Sequence, residues 1–357
     1  MRDLVSEYLR RANSIPLETA LSAAYIEQER KMKINMSHGS GGKASAELMK
    51  DIFGKYFSND ILNKMEDAAV LELHGRIAFS TDSFVVTPVV FNGGDIGKLA
   101  VCGTVNDLLM MGAQPQYITA GFILEEGLEI KLLEKIVASM AKAAAEAGVQ
   151  IVAGDTKVVE GKGGLYINTS GIGSIPEGRD ISAENCGEGD VILLSGNLGD
   201  HHACILSARM EIENNIKSDC ACLNPLVNSL LENKIKVKTM RDVTRGGLGT
   251  VLNEIAEASK CGIEMKEGAL PVHPEVRGFC DILGLDPLYM ANEGKMIAVV
   301  ASEDAEKALE LMKNTEFGKD AAIIAEAVSG KGVVMKTRLG GSRVVDVLYG
   351  EGLPRIC

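Results

Sequence analysis

Tryptophan is absent from this sequence of 357 residues, and aromatic residues make up only 4% of it. A surface of stacked aromatic side chains for single-stranded nucleic acid is therefore not expected. Basic residues are also scarce relative to acidic ones, 37 against 49, which gives a formal net charge of −12. Because polyanions repel an acidic chain, the composition disfavours a general role in binding nucleic acid or anionic membranes.

Long apolar runs and regularly spaced cysteines are missing as well. No segment of the sequence reaches the ~18 apolar residues of a membrane-spanning helix, and the charged residues Asp3, Glu7 and Arg10 are not typical of a secretory signal. The eight cysteines form neither a disulfide framework nor a pair of CxxC motifs. Cysteines without such a pattern are typical of a reducing compartment, so we predict a cytoplasmic protein.

Apolar residues and glycines, in contrast, are plentiful. Apolar residues make up 46% of the chain and 39 positions are glycine, which indicates a sizeable core and many tight turns. At ~150 residues per domain the length favours two domains. Strand-like and helix-like segments alternate in both halves, which predicts an α/β (mixed α+β) fold. Turn formers and charges from Pro176 to Asp190 mark the boundary. The predicted units are an N-terminal extension, two domains and a tail, at residues 1–31, 32–177, 188–349 and 350–357.

A glycine-rich motif, Ser37-His-Gly-Ser-Gly-Gly-Lys43, precedes a helix predicted over residues 43–57. Glycines let the backbone approach a phosphate closely, and the start of a helix offers free N–H groups. Gly41, Gly42 and Lys43 are therefore candidate nucleotide contacts. The spacing differs from that of a Walker A motif, and a flexible turn without a ligand is the alternative interpretation.

Five aspartates follow apolar or small residues. A carboxylate at the end of an apolar strand costs free energy unless it is paired or bound to a metal ion. Carboxylate oxygens suit Mg²⁺ held against nucleotide phosphates. On the helix predicted over 95–111, Gly103, Asn106 and Asp107 share one face, which leaves room for a ligand. Taken singly, each acid could instead cap a helix or lie in a turn. The five aspartates are Asp67, Asp82, Asp107, Asp155 and Asp242.

Two residues near the end of the chain are candidates for catalysis. Glu293 lies beside the apolar run 296–300 and is a candidate general base, unless it is a turn acid paired with Lys295. Cys357 ends a tail that contains two glycines and a proline, which predicts a reactive thiol on a moving segment. A frayed terminus is the alternative interpretation of the same tail.

A second group of cysteines and histidines is less specific. Cys220-Ala-Cys222 follows His201, His202 and Cys204 in the sequence, but the spacing fits no standard zinc pattern. We interpret these residues as structural.

A strand-like run at residues 68–73 is predicted to be the first strand of the N-terminal domain.

Together, these motifs resemble the HypE family of hydrogenase expression/formation proteins over residues 33–357, with residues 1–31 preceding the usual family start. The closing Pro354-Arg-Ile-Cys357 is the most diagnostic, because the related aminoimidazole ribonucleotide synthetases, selenophosphate synthetases and thiamine monophosphate kinases lack it. The other matching motifs are His38-Gly-Ser-Gly-Gly42, Gly93-Gly-Asp-Ile-Gly-Lys-Leu-Ala-Val101, Gly103-Thr-Val-Asn-Asp107, Gly154-Asp-Thr-Lys-Val-Val159, Arg241-Asp-Val-Thr-Arg-Gly-Gly247 and Ala291-Asn-Glu-Gly294.

The resemblance implies a two-domain fold of the aminoimidazole ribonucleotide synthetase type, with an N-terminal ATP-binding domain that dimerises and a C-terminal α/β domain. It implies a hydrogenase maturation enzyme that uses ATP and Mg²⁺. A carbamoyltransferase, HypF, loads a carbamoyl group onto the terminal thiol. ATP-dependent dehydration then leaves a thiocyanate, whose cyanide is transferred to iron on the HypC–HypD scaffold of the nickel–iron hydrogenase centre.

The resemblance also implies roles for individual residues. Cys357 carries the carbamoyl group, Glu293 is the base, and Lys157 neutralises charge on the oxygen or the phosphate. The implied ligands of Mg²⁺ are Asp67, Asp82, Asp107 and Asp242. The implied nucleotide contacts are Gly41, Gly42, Lys43, Asp67, Asp82, Asn106, Asp107, Gly154, Asp155, Thr156 and Asp242.

Two other functions remain open at this point. A related enzyme could phosphorylate a free small molecule, such as an aminoimidazole or a thiamine substrate, and the terminal cysteine would then be dispensable. A scaffold that binds maturation partners, with a vestigial nucleotide site, would need no catalysis. ATP turnover that depends on Cys357 distinguishes the carbamoyl reaction from both.

Overall fold

The computed structural model describes residues 33–40, 42–65, 68–347 and 356–357. The predicted extension 1–31 and most of the predicted tail lie outside the described residues. The strands of the described chain are β1 (Arg76–Phe84), β2 (Val90–Phe91), β3 (Gly94–Asp95), β4 (Gln114–Glu125), β5 (Gln150–Val159), β6 (Leu165–Ile175), β7 (Val191–Leu194), β8 (Val237–Asp242), β9 (Gly262–Lys266), β10 (Met296–Val300), β11 (Ala322–Val328), β12 (Gly332–Lys336) and β13 (Ser342–Val345).

The helices lie between these strands, so each half of the described chain is a mixed α/β structure. A π-helical segment, Met49–Phe53, joins the first two helices, so residues 43–57 are helical as predicted. The helices are α1 (Lys43–Leu48), α2 (Gly54–Phe57), α3 (Ile96–Met110), α4 (Ile130–Ala147), α5 (Asp200–Arg209), α6 (Asn224–Glu232), α7 (Gly247–Ser259), α8 (Pro274–Leu283) and α9 (Ala305–Lys313). No helix among the described residues is long and apolar enough to cross a membrane.

A four-stranded sheet in the order β1-β6-β4-β5 forms the first half. Its strands pair antiparallel except β4 and β5, which run parallel through the crossover helix α4. Helix α3 packs on β1 and β6, and α4 packs on α3 and β5, so the two helices together cover one face of the sheet. Leu99, Val105, Ile136 and Met140 are fully buried between these helices and the sheet.

Helix α3 has apolar residues on nearly all of its sides, as expected for a helix that is buried between the sheet and neighbouring helices. It begins at Asp95, whose carboxylate accepts hydrogen bonds from the N–H groups of Gly97 and Lys98 at 2.9 and 3.0 Å. Gly97 is required there, since a Cβ atom would collide with the carbonyl of Ile136 on α4. The close approach of the two helices places Asn106 and Asp107 at the opposite end of α3.

A seven-stranded sheet in the order β13-β12-β9-β11-β7-β10-β8 forms the second half. Strand β10 pairs antiparallel with β7 and β8 in the interior of this sheet. All five of its residues are buried, which explains the continuous apolar sequence of Met296–Val300. Glu293 lies in the loop that enters this strand, so the buried sheet determines where the carboxylate is placed.

The segment predicted as a strand at residues 68–73 is irregular, and that prediction was wrong. Its alternating pattern resembles a half-buried strand, but the segment pairs with no strand of the described chain, and Val70 is 83% exposed. A strand needs a neighbour for its backbone hydrogen bonds, which a local pattern does not supply.

The first sheet ends at Ile175 and the second begins at Val191, on either side of the predicted boundary. The domain limits remain a prediction.

Candidate active site

The last two residues of the chain dock between the two halves of the molecule. The carbonyl oxygen of Cys357 accepts a hydrogen bond of 3.0 Å from the N–H of Val85, which directly follows β1. The carbonyl oxygen of Ile356 accepts one of 2.7 Å from Nε2 of His201, on α5 of the second half. Ile356 is buried. The terminal thiol is therefore positioned by one residue from each half.

His201 is a functional residue that the sequence reasoning missed, since the pair His201-His202 was interpreted as structural. Its ring is fully buried, and burial lowers its pKa, which keeps the ring neutral. Nδ1 lies 2.8 Å from the hydroxyl of Ser218. Because Nε2 must donate to the Ile356 carbonyl, Nδ1 is the acceptor, and the hydroxyl donates to it. The two hydrogen bonds thus fix both the tautomer and the orientation of the ring.

Glu293 has the burial and the raised pKa expected of a general base. Its side chain is 4% exposed, and Oε1 has no hydrogen-bond partner among the described residues. Burial raises the pKa of Glu293 well above its usual value, and the charges of Cys220 and Asp219 raise it further. Glu293 in turn raises the pKa of the Cys357 thiol, which shows that the two side chains interact. A carboxylate whose pKa is raised is a stronger base than an exposed glutamate, which suits a general base.

The loop that carries Glu293 is held by Asp219, which the sequence reasoning also missed. The Asp219 carboxylate accepts hydrogen bonds from the N–H groups of Glu293 and Gly294, at 3.0 and 3.1 Å. It also accepts one of 3.0 Å from Nζ of Lys295. Burial alone would raise the pKa of Asp219, but Lys295 and His201 hold it below its usual value. Lys295 therefore pairs with Asp219, and the expected alternative for Glu293, a turn acid paired with Lys295, is wrong.

Asn106 fixes the loop on the other side of Glu293. Its Nδ2 donates to the carbonyl of Ala221 at 3.0 Å, and its Oδ1 accepts from the N–H of Leu223 at 2.9 Å. Ala221 in turn donates its N–H to the Glu293 carbonyl at 3.3 Å. The amide of Asn106 is thus bonded to this loop, and its assignment to nucleotide binding remains a prediction.

Three of the predicted metal ligands come together from both halves: Asp82 on β1, Asp107 on α3 and Asp242 at the end of β8. Burial, and then the charge of Asp107, raise the pKa of Asp82 to about 6. The same two causes raise the pKa of Asp242 to about 6. Thr104 donates a hydrogen bond to Asp82 at 3.2 Å, and Ser80 donates one to Asp107. Within the described ranges, no three carboxylate, cysteine or histidine side chains form a ready-made metal site.

Arg245 counters this accumulation of negative charge. Its guanidinium lowers the pKa values of Asp82, Glu293 and Cys357, although burial outweighs it in each case. Arg245 belongs to the Arg241–Gly247 motif, from which the sequence analysis selected only Asp242. Its place in that motif was the signal that could have identified it.

Burial and then Glu293 raise the pKa of the Cys357 thiol to about 12. The docked thiol is therefore protonated.

Lys157 and Asp155 lie on the other face of the four-stranded sheet. Strand pairing places Gly154 of β5 in register with Asp82 of β1, so these two residues share one face of the sheet. Side chains alternate along a strand, so Asp155 and Lys157, one and three residues after Gly154, lie on the opposite face. Nζ of Lys157 lies 2.7 Å from the Asp155 carboxylate, and the two side chains are 65% and 66% exposed. Within one chain, the structure does not bring Lys157 to Glu293 and Cys357.

A cavity of about 210 Å³ adjoins β5 and contains Gly154, Asp155 and Thr156 in its wall. Phe53 and Phe122 supply apolar surface to the same cavity. Gly42 is the N-cap residue of α1, and Lys43 is an exposed residue of its first turn. Gly41 and Asp67 lie outside the described residues. Five of the predicted nucleotide contacts thus divide between this cavity and the start of α1.

The chain matches the family models of the AIR synthase related proteins in both halves. The N-terminal domain model matches residues 65–175, and the C-terminal domain model matches residues 187–337. The predicted fold class is confirmed by these matches.

Individual relatives are more specific. The carbamoyl dehydratase HypE of Rhodobacter capsulatus is 48% identical over 335 residues, which are 91% of this chain and 98% of the relative. A crystal structure of the hydrogenase maturation protein HypE in complex with ATP superposes with a TM-score of 0.87 at 48% identity, covering 90% of this chain and 99% of the other. A HypE–HypF complex superposes with a TM-score of 0.75 at 50% identity, covering 84% and 99%. The family resemblance drawn from the motifs is thus confirmed, and the chain belongs to the HypE family of carbamoyl dehydratases, hydrogenase expression/formation proteins with an AIR synthase-related fold.

Proposed function

We propose that this protein dehydrates a carbamoyl group carried on the sulfur of Cys357, in an ATP-dependent reaction that leaves a thiocyanate. The thiocyanate would supply cyanide ligands for the iron of a nickel–iron hydrogenase. The observation that carries this proposal is the docked C-terminus: its last two residues hydrogen-bond to Val85 and His201, and the buried Glu293 raises the pKa of the Cys357 thiol.

The chemistry requires two changes at the carbamoyl group. Its oxygen is a poor leaving group, and transfer of the γ-phosphoryl group of ATP to that oxygen lets it depart as phosphate. Both N–H protons must also be lost for the carbon–nitrogen triple bond to form. Glu293 is the group placed to accept a proton at this position, because its raised pKa makes the carboxylate a stronger base than an exposed glutamate.

The docking pocket favours an uncharged sulfur. A thiolate at Cys357 is disfavoured by burial and by Glu293, which is why the pKa of the thiol rises to about 12. A thiocarbamate and a thiocyanate carry no charge on sulfur, so neither meets this penalty. The free thiol must leave the pocket to become nucleophilic and accept a carbamoyl group, and the loaded tail can return to it.

The acid cluster fits a magnesium ion that arrives with the nucleotide. The charge of Asp107 raises the pKa values of both Asp82 and Asp242, and a divalent cation would relieve that repulsion. These three residues, together with Asp67, would hold the ion, which supplies charge neutralisation on the phosphates. Since no ready-made metal site exists in the described part of the chain, the phosphates would complete the coordination.

ATP would bind at the cavity along β5 and at the start of α1. Gly154, Asp155 and Thr156 line the cavity, and Gly42 is the N-cap residue of α1, which no side chain caps. Lys43, in the same turn, and the neighbouring Gly41 belong to the same proposed contact. The HypE relative that was crystallised with ATP supports nucleotide binding by this fold.

A homodimer is supported by the uncovered face of the four-stranded sheet. Ile77, Phe79, Ile123 and Val159 project from this face and are 39–65% exposed. Apolar residues gathered on one sheet face are typical of a protein–protein interface. Lys157 lies on the same face, so its proposed neutralising role in catalysis would be exercised at the interface between two subunits.

The proposed partners follow from the same reaction. A carbamoyltransferase of the HypF type would load the tail, as the HypE–HypF complex of a relative supports. A HypC–HypD scaffold would receive the cyanide. We place the protein in the cytoplasm, because its free thiols require a reducing compartment.

Intact mass spectrometry tests the proposal directly. Incubation with the carbamoyltransferase, carbamoyl phosphate, bicarbonate and ATP should add about 43 Da to the protein for a carbamoyl group. With ATP available to this protein, loss of water should then remove about 18 Da and leave a cyano group. Removal of ATP after loading should stop the sequence at the carbamoyl form. A protein that turns over ATP but never gains mass would contradict the proposal.

A further inference from the structure

Three thiols meet beside the candidate active site, and the proposed reaction uses none of them. The Sγ atoms of Cys102 and Cys222 lie 3.1 Å apart. Cys220 lies close enough to raise the pKa of Cys102 as well. Cys102 lies on α3 of the first half, whereas the other two lie on the loop that precedes α6 in the second half. The cluster therefore bridges the two halves of the molecule.

We propose that Cys102 and Cys222 form a reversible disulfide when the protein is exposed to a small-molecule disulfide such as glutathione disulfide. The sulfurs need to approach by about an ångström to reach the ~2.05 Å of an S–S bond. Rotation of the two side chains is the movement that would close this gap. The two sulfurs are already in contact in the folded state.

The exposures of the two thiols indicate the order of the steps. Cys102 is 1% exposed, whereas Cys222 is only partly buried. The thiolate of Cys222 attacks one sulfur of glutathione disulfide, and one glutathione leaves as a thiolate. The sulfur of Cys102 then loses its proton and displaces the second glutathione. Two electrons pass from the protein thiols to glutathione disulfide, and the two thiol protons end on two glutathione molecules.

The bond would tie α3 to the loop that supports Glu293. Asn106, one helical turn after Cys102, already holds this loop through the backbone of Ala221 and Leu223. Ala221 donates its N–H to the carbonyl of Glu293. A covalent link at Cys222 therefore reinforces an existing contact rather than creating a new arrangement. It also closes a loop of 120 residues, which restricts the unfolded chain.

The test uses the full chain, reduced and then incubated with glutathione disulfide. Free thiols are blocked with iodoacetamide, and tryptic peptides are mapped without reduction. We expect a linked pair of peptides that contain Cys102 and Cys222, and a loss of about 2 Da for the internal bond. A glutathione adduct at Cys357 adds mass instead and maps to a different peptide. The oxidised protein should melt several degrees higher than the reduced one, and dithiothreitol should reverse the shift.

Single variants assign the bond, since Cys220 and Cys222 fall in the same tryptic peptide. Cys222→Ser should abolish both the linked peptide and the rise in melting temperature. The matched control on the same loop, Cys220→Ser, should retain both. The proposal is overturned if the wild-type protein shows no link after Cys357 has been modified, or if Cys220→Ser loses the link while Cys222→Ser keeps it.

Discussion

The two faces of the four-stranded sheet differ in burial: one is covered by helices and the other is exposed to solvent. The face that carries Asp82 is covered by α3 and α4, and its polar groups contact residues of the second half and the docked C-terminus. The face that carries Phe79 and Lys157 remains open, with apolar side chains exposed. One strand supplies both faces by simple alternation, so the chain covers the first face by itself and leaves the second exposed.

Most of the candidate catalytic residues of one chain lie on the covered side of the sheet. Cys357, Glu293 and Asp82 lie on the covered side, where burial shifts the pKa of each. Lys157 is solvated and paired with Asp155 on the open side. Under the proposed function, the covered side would provide proton transfer, whereas a contribution from Lys157 on the open side would require a second molecule.

Removal of the terminal thiol should have the largest effect. Cys357→Ala should eliminate the gain of about 43 Da, because no other cysteine of the described chain lies at the end of a docked tail. Its melting temperature should be close to that of the wild type, since a partly exposed terminal residue contributes little packing. Intact mass and thermal unfolding measure both. Carbamoylation of Cys357→Ala at another cysteine would contradict the role of the tail.

Loss of the buried base should be the next largest effect. Glu293→Gln keeps the size of the side chain but cannot accept a proton, so dehydration should slow by about 10²-fold while carbamoylation is unchanged. Single-turnover mass spectrometry of the loaded protein separates the two steps. Glu303→Gln, an exposed residue in the turn before α9, is the matched control and should behave like the wild type.

The pH dependence of the same step gives the sign of the Glu293 shift. Because the pKa of Glu293 is raised, the side chain holds its proton at pH values where an exposed glutamate has lost it. The dehydration rate should therefore fall as pH decreases, and the fall should begin above the usual glutamate range. Glu293→Gln should remove this dependence; a profile unchanged by the substitution would assign the base elsewhere.

A charge on the open face should break the proposed dimer. Phe79→Glu places a carboxylate in the centre of the exposed apolar face, where Phe79 is 65% exposed. Burial of that charge at an interface should weaken self-association by about 10²-fold without unfolding the subunit. Light scattering and sedimentation measure the change. Ile282→Glu, at an exposed apolar residue on α8, is the control. A wild-type protein that is monomeric at all concentrations would contradict the interface.

Neutralisation of one acid on the covered face should have a moderate effect. Asp82→Asn removes one hard oxygen ligand and one charge, so the affinity for ATP in the presence of Mg²⁺ should fall by about 10-fold. The fold should persist, because Asn can still accept the hydrogen bond from Thr104. Calorimetric titration with and without Mg²⁺ isolates the metal-dependent part. An unchanged affinity in both titrations would remove Asp82 from the metal site.

Loosening of the tail should have the smallest effect. His201→Leu removes the donor to the Ile356 carbonyl, so the loaded tail should dock less often and dehydration should slow by about 5-fold. Carbamoylation should be unaffected, because it requires the tail to leave the pocket. His201→Gln retains an N–H donor and should recover part of the rate. Equal rates for both variants, with equal melting temperatures, would show that His201 only fills space.

The sequence by itself determined the fold class and the family, and it predicted catalytic roles for Glu293 and Cys357. Each of these depends on short motifs, and a motif keeps its meaning because its residues are neighbours in the chain. Helix α3 was predicted for the same reason, since a continuous apolar segment that follows an N-cap aspartate determines local structure.

Only the tertiary structure decided which side chains meet. His201 reaches the Ile356 carbonyl across 155 residues, and a pair of histidines on an apolar helix gives no local sign of that contact. Asp82 and Lys157 came from equally suggestive motifs, yet strand register places them on opposite faces of one sheet. The physical reason is that register and docking follow from backbone pairing and burial between distant segments, which no pattern within one segment specifies.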